Sequence, residues 1–282
     1  MNNFNFGIGN KGELLIKKDE VIMDIVIQGN YNDVTDTIIE SYLKLPFVNN
    51  IILSCWGDNV VSKNIFENPR VKTVFNKYPF QPGTDNRNLQ IVSSLGGIKK
   101  VTTKHSAKMR ADQLYSYDSM MKMHEFYSNN KRENLLFVPG MFPSFLFHPR
   151  DHLFWGETAD LIKLFDIPLE YNGITDRVKI DKWSLAKFYP YFTRVETYLG
   201  AHYCSEFDER IKFMLVQPEK YLYDYAPLWN DAYNISQEIT PKLFKSFPRT
   251  GIDFKWPKKG WDTYPYEIQH RDYNECWHEE GY

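Results

Sequence analysis

The sequence predicts an α/β fold: a Rossmann-type, mostly parallel central sheet flanked by helices. Two observations carry the prediction. Val21-Ile-Met-Asp-Ile-Val-Ile27 is an almost unbroken apolar run of strand length, which suits a strand buried on both faces. After it, strand-like and helix-like stretches alternate three times, a rhythm that calls for parallel strands joined by right-handed crossovers.

Each element has a local reason. The first strand ends in the turn cluster Gln28-Gly29-Asn30-Tyr31-Asn32-Asp33, which also offers a helix N-cap. Val34 to Leu45 places Ile38, Ile39, Tyr42, Leu43 and Leu45 on one helical face, and Pro46 closes it. Asn50 to Trp56 is a second strand, Val60 to Phe66 a short helix, and Arg70 to Phe75 a third strand. After the loop PFQPGT, a helix runs from Asp85, a plausible N-cap, to Leu95, and Gly96-Gly97 ends it. His105 to Met109 is the fourth strand, and Gln113 to Asn129 a helix whose Met120, Met121 and Met123 read as core filler. Leu135 to Val138 and Asp151 to Gly156 are further strands, and Thr158 caps a helix from Ala159 to Phe165. Beyond that the pattern is less regular: Trp183–Phe192 and Val195–Phe207 look helical, and the aromatic, Pro-rich tail reads as loops and short strands. The expected division is a lead-in over 1–20, a main α/β domain over 21–207, and a C-terminal extension over 208–282.

Bulk composition narrows the function classes. The chain has 282 residues with a net charge of −2 and no long basic run, so binding driven by phosphate neutralisation on nucleic acid is disfavoured. Its three cysteines are widely spaced, with no Cys-x-x-Cys pair, so neither a zinc site nor a disulfide framework is suggested. No apolar h-region opens the chain, and nothing approaches the roughly 18 apolar residues of a membrane span. The expectation is a soluble, cytoplasmic protein, at most peripheral on a membrane.

In such sheets ligands sit beyond the carboxyl ends of the strands. Those ends are Gln28–Asn30, Trp56–Asp58 and Asn76–Tyr78, which makes Gln28, Asn30 and Asp58 candidate contacts. Asn86, Arg87 and Gln90 share the first turns of the next helix, where a positive helix end and an Arg suit a nucleotide or sugar hydroxyls. The fourth strand runs into Lys108-Met109-Arg110-Ala111-Asp112, where a nucleotide-binding sheet would put a carboxylate for a metal and a diphosphate. A surface ion pair at a strand end is the competing explanation. A P-loop kinase is excluded because no Gly-x-x-x-x-Gly-Lys-Ser/Thr occurs.

Six strings stand in one order: QGN, IILSCWGD, NRNLQIVSS, KMRAD, DHLFWGETADLIKLF and ETYLGAHY. Together they resemble the WavE-type lipopolysaccharide-synthesis family, glycosyltransferases of the GT-A kind, over about residues 22–205. The resemblance implies a GT-A-like fold and transfer of a sugar, in the hexosyltransferase manner, from a nucleotide-sugar donor, a UDP-sugar first, to a glycan acceptor. It also implies a divalent metal, Mn²⁺ or Mg²⁺, held across the diphosphate by an Asp-x-Asp element, since the leaving nucleoside diphosphate needs its charge neutralised. Here the string is Arg110-Ala111-Asp112. Asp112 is left as the metal ligand, with Arg110 able to meet phosphate directly.

An inverting transferase needs a carboxylate to take the acceptor proton. Glu196, at the start of a helix in the C-terminal half, and Asp151, at the start of a strand, are the two candidates. Helix-dipole compensation at Glu196 and pairing of Asp151 with Arg150 or His152 are the structural explanations of the same residues. His202, His270 and His278 are candidates for a further metal or phosphate contact. Trp155, Trp183 and Tyr198 could stack on sugar, although core packing suits each of them better. A non-catalytic sugar- or nucleotide-binding protein remains open. So does a sugar nucleotidyltransferase, although the latter predicts a basic Gly-rich loop after the first strand, and Gln28 to Asp33 has no Lys or Arg.

Overall fold

A computed structural model describes residues 21–141, 146–170, 194–216, 226–248, 250 and 252–255. Among them, seven strands form one sheet in the order β3-β2-β1-β4-β7-β6-β8. The strands are β1 (Met23–Gln28), β2 (Val48–Trp56), β3 (Val71–Asn76), β4 (His105–Arg110), β6 (Leu136–Val138), β7 (Leu153–Glu157) and β8 (Phe244–Ser246). β3, β2, β1 and β4 pair in parallel, β7 runs antiparallel to both β4 and β6, and β8 is parallel to β6. A short pair, β5 (Leu114–Tyr115) with β9 (Phe254–Lys255), lies apart from it.

The helices are α1 (Asp33–Tyr42), α2 (Lys63–Phe66), α3 (Arg87–Ile98), α4 (Tyr117–Asn130), α5 (Thr158–Phe165), α6 (Val195–Ser205), α7 (Glu209–Val216) and α8 (Ala226–Leu243). They make two apolar layers, one on each face of the sheet. Ile25 and Ile27 of β1 pack with Ile38, Ile39 and Tyr42 of α1 and with Met120, Met123 and Tyr127 of α4. Val26 points the other way, into a second cluster with Ile91 and Ile98 of α3, Leu161 and Leu164 of α5, and Leu199 of α6. Successive side chains on a strand alternate faces, so the continuous apolar run serves both layers. Every residue of β1 is buried.

Local rules place the helix ends. Asn32 caps α1 through a capping box with Thr35. Several ends differ from the sequence expectation. Gly96 and Gly97 do not stop α3; the helix runs on through Ile98. A Cβ on Gly97 would come within 2.4 Å of Val26 and 2.8 Å of Ser54. These glycines therefore exist for close helix–sheet approach, not as a C-cap. Asp85 does not cap α3 either, because Asp85 and Asn86 both take left-handed conformations (φ 51° and 62°). α4 begins at Tyr117, after the β5 pairing, with Ser116 as the N-cap; its hydroxyl accepts from the Ser119 amide and donates to Asp253 Oδ1 at 2.7 Å. Thr158 lies inside α5, and its hydroxyl donates to the Thr103 carbonyl at 2.9 Å.

The tail expectation also changes. The string PLWNDAY is part of the helix α8, and β8 completes the edge of the main sheet beside β6. The helix expected over Trp183–Phe192 lies outside the described residues. No helix among the described residues is long and apolar enough to cross a membrane.

Candidate functional site

The register of the sheet brings Gln28, Ser54 and Arg110 onto one rung at the carboxyl ends of β1, β2 and β4. Gln28 is held there: its Oε1 accepts from the Ser93 hydroxyl of α3 at 2.7 Å, while Ser54 donates to the Ser93 carbonyl at 2.6 Å. β7 is antiparallel, so its start, unlike that of a parallel strand, falls beside the end of β4; Met109 pairs with Leu153. That single reversal delivers Asp151 to the carboxyl edge of β1 and β4.

Arg110 forms the middle of the site. Its Nε donates to Asp112 Oδ1 at 2.9 Å and its Nη2 to Asp112 Oδ2 at 3.0 Å. Its Nη1 lies 3.9 Å from Asp151 Oδ2. Lys108, two residues earlier on the same face of β4, is fully buried and donates from Nζ to the Asp151 carbonyl at 2.9 Å. The ammonium also sits 5.6 Å from the ring centroids of both Phe154 and Phe165. Burial pushes Lys108 down to about 7, against the pull of Asp151.

The two carboxylates differ in state. Burial works to raise Asp151, but His152, Arg110 and Lys108 outweigh it and hold the carboxyl below its usual range. Gln90, at the start of α3, adds to this, its side-chain amide favouring the ionised Asp151. Glu196 moves the other way. Burial and the charge of Asp151 push it up to about 7, despite Arg194 and a backbone hydrogen bond. Glu196 stands in the first turn of α6, and its side chain keeps 21% exposure against 7% for Asp151. His148 Nε2 lies 3.9 Å from Glu196 Oε2, and burial holds that imidazole down to about 4, so the pair is not ionic at neutral pH.

The sequence candidates therefore divide. Gln28, Gln90, Lys108, Arg110, Asp112, Asp151 and Glu196 gather around the carboxyl ends of β1 and β4. Arg87 is fully buried and faces inward: it pairs with Glu170 at 3.1 Å and stacks on the Tyr198 ring at 4.2 Å. Tyr198 is thereby committed to Arg87 and to the Pro168 carbonyl, and Trp155 lies in the core. Asn86 is exposed, beside Asp85, whose carboxylate reaches Arg194 at 3.7 Å. Asn30 is exposed, and Asp58 accepts from the Tyr78 hydroxyl at 3.1 and 3.2 Å, farther along the same edge. His202 packs edge-on to Tyr198, and burial pushes it down to about 4. His270, His278 and Trp183 lie outside the described residues.

The donor set around Asp112 does not fit a resident divalent cation. Both carboxylate oxygens already accept N–H groups from Arg110. No group of three or more His, Cys, Asp or Glu side chains among the described residues is arranged to hold a metal. Sequence reasoning missed His148 and Arg194, which flank Glu196, and the Arg87–Glu170 pair. The string His148-Pro-Arg-Asp-His152 was the available signal for the first of these, with four titratable side chains in five residues.

Among solved structures, 4-diphosphocytidyl-2C-methyl-D-erythritol synthase from Anaerococcus prevotii DSM 20548 is 9% identical, with a TM-score of 0.35 over 61% of this chain and 85% of that one. HddC from Yersinia pseudotuberculosis is 16% identical, with a TM-score of 0.35 over 54% and 83%. No curated protein matches the chain. The family model described as WavE lipopolysaccharide synthesis matches residues 25–193, which takes in β1 through α5 and with them Arg110, Asp112 and Asp151; the chain belongs to that family.

Proposed function

We propose that the chain is a glycosyltransferase that moves a sugar from a nucleotide-sugar donor, a UDP-sugar first among them, to a hydroxyl of a glycan. One observation carries the reading: Glu196, raised to about 7, and ionised Asp151 meet beside Arg110 at the carboxyl edge of β1 and β4. Family membership in lipopolysaccharide synthesis supports a nucleotide-sugar substrate.

In the proposed reaction Glu196 takes the proton from the acceptor hydroxyl. The oxygen attacks the anomeric carbon, and the bond from that carbon to the diphosphate oxygen breaks with its electron pair leaving on the nucleoside diphosphate. A base works best when its pKa lies near the working pH, which favours Glu196 over Asp151. A single displacement of this kind inverts the anomeric centre. Asp151 keeps the proton affinity of Glu196 high, and Lys108 fixes the backbone of Asp151.

The test is a binding and hydrolysis panel of UDP-, GDP-, CMP- and dTDP-sugars. At least one is expected to bind and to be hydrolysed slowly without acceptor. If none binds at millimolar concentration, the reading fails. Release of pyrophosphate from a nucleoside triphosphate and a sugar 1-phosphate would replace it with a sugar nucleotidyltransferase.

A further inference from the structure

We propose that the guanidinium of Arg110 takes the place of a divalent cation, so that this chain binds the diphosphate of its nucleotide without metal. The proposal rests on the nucleotide-sugar reading and narrows its chemistry.

Arg110 ends β4 on the rung of Gln28, at the edge where a diphosphate would lie. An Asp-x-Asp element would put an acid at this position; this chain puts a cation there. The acid two residues on, Asp112, is turned back onto the cation as a two-pronged pair, with bonds of 2.9 and 3.0 Å. On another side, Asp151 Oδ2 stands 3.9 Å from Nη1. Two carboxylates that could share a metal are thus arranged around a guanidinium.

That arrangement disfavours a metal and suits a phosphate. A cation bound to Asp112 would sit about 2.0–2.1 Å from an oxygen that already accepts an N–H from Arg110, and would meet its positive charge. The Asp112 pair engages Nε and Nη2 of the guanidinium, and Nη1 faces Asp151. The two-pronged pair holds the planar group in one orientation, so little side-chain freedom is lost when phosphate oxygens arrive. The site is also reachable: the Arg110 and Asp112 side chains are 24% and 28% exposed. Lys108 lies on the same face of β4 and holds the backbone of Asp151 through its Nζ.

The experiment is calorimetric titration of the full chain with UDP, and with the nucleoside diphosphate of whichever donor the panel selects. It is run in EDTA, then with Mn²⁺ or Mg²⁺. Affinity in EDTA is expected within roughly threefold of that with metal, and Arg110→Gln is expected to weaken it by about tenfold or more. Arg110→Lys keeps the charge but not the fork, and should recover part of the loss while preserving the fold. Arg110→Asp should bind the nucleotide only when Mn²⁺ is added. Binding by the wild type only in the presence of metal would overturn the proposal and leave the nucleotide-sugar reading standing. Unchanged affinity in a folded Arg110→Gln would overturn it too. No binding of any nucleotide under either condition would remove the reading on which it rests.

Discussion

Glu196 holds its proton up to about pH 7 because it is buried and because the charged Asp151 lies close to it. The transfer rate should therefore rise through an ascending limb centred near pH 7. Glu196→Gln should lower the rate by about 10²–10⁴-fold and abolish the limb, with donor affinity retained. A pH–rate profile of the two proteins checks this, and a Gln variant of undiminished rate would remove Glu196 as the base.

The same shift has a stability signature of fixed sign. The folded value lies above the ordinary carboxyl value of 4.5, so between about pH 4.5 and 7 the unfolded chain ionises while the folded one keeps its proton. This group's contribution to stability is complete below that window and is lost as pH rises through it. Glu196→Gln should thus gain melting temperature relative to the wild type on going from pH 4.5 to 7.5, as paired thermal melts would show.

Asp151→Asn removes the charge that helps to lift Glu196. The ascending limb should shift to lower pH, with a second loss in rate from the disturbed Arg110. A limb that stays in place would mean that burial alone sets the proton affinity of Glu196.

Arg87 and Glu170 form a buried pair at 3.1 Å that ties the segment after α5 to the start of α3. The backbone of Glu170 is held as well, by Asn88, whose Oδ1 accepts from the Glu170 amide at 2.8 Å. Glu170→Gln leaves the guanidinium without its carboxylate and should cost about 3–5 kcal/mol. Chemical denaturation measures that cost directly; a change of only a few tenths would mean that Tyr198 and the other neighbours suffice.

Gly97→Ala tests the close approach of α3 to the sheet. The added methyl would clash with Val26 and Ser54 and should destabilise by about 1–3 kcal/mol. Because Ser54 and Ser93 anchor Gln28 across this contact, donor binding should weaken as well.

How much of this was legible beforehand depends on the range of the interaction. The parallel strands could be read because Val26 and its neighbours must be apolar in both directions when a strand is covered on two faces. Gln28 and Arg110 could be placed at strand ends, but their shared rung came from the pairing of β1 with β4. Gly96-Gly97 misled because a helix-stopping glycine and a packing glycine look alike until the neighbour is known. Thr158 misled likewise: its hydroxyl had a partner on Thr103 rather than on its own helix. Asp85 and Asn86 gave no sign of their left-handed conformations, since Asp and Asn serve equally as ordinary caps.

By itself, then, the sequence determined the layered α/β architecture and the identity of the chemical groups at the strand ends, because periodicity and turn chemistry are local. Tertiary structure alone decided which groups act together. The antiparallel insertion of β7 brought Asp151 to the end of β4, and the packing of α6 brought Glu196 beside it. Arg110 was left between Asp112 and Asp151, whereas Arg87, which looked equally available, was turned inward onto Glu170. Burial and neighbouring charge, which no string of residues displays, then gave two similar carboxyl groups opposite proton affinities.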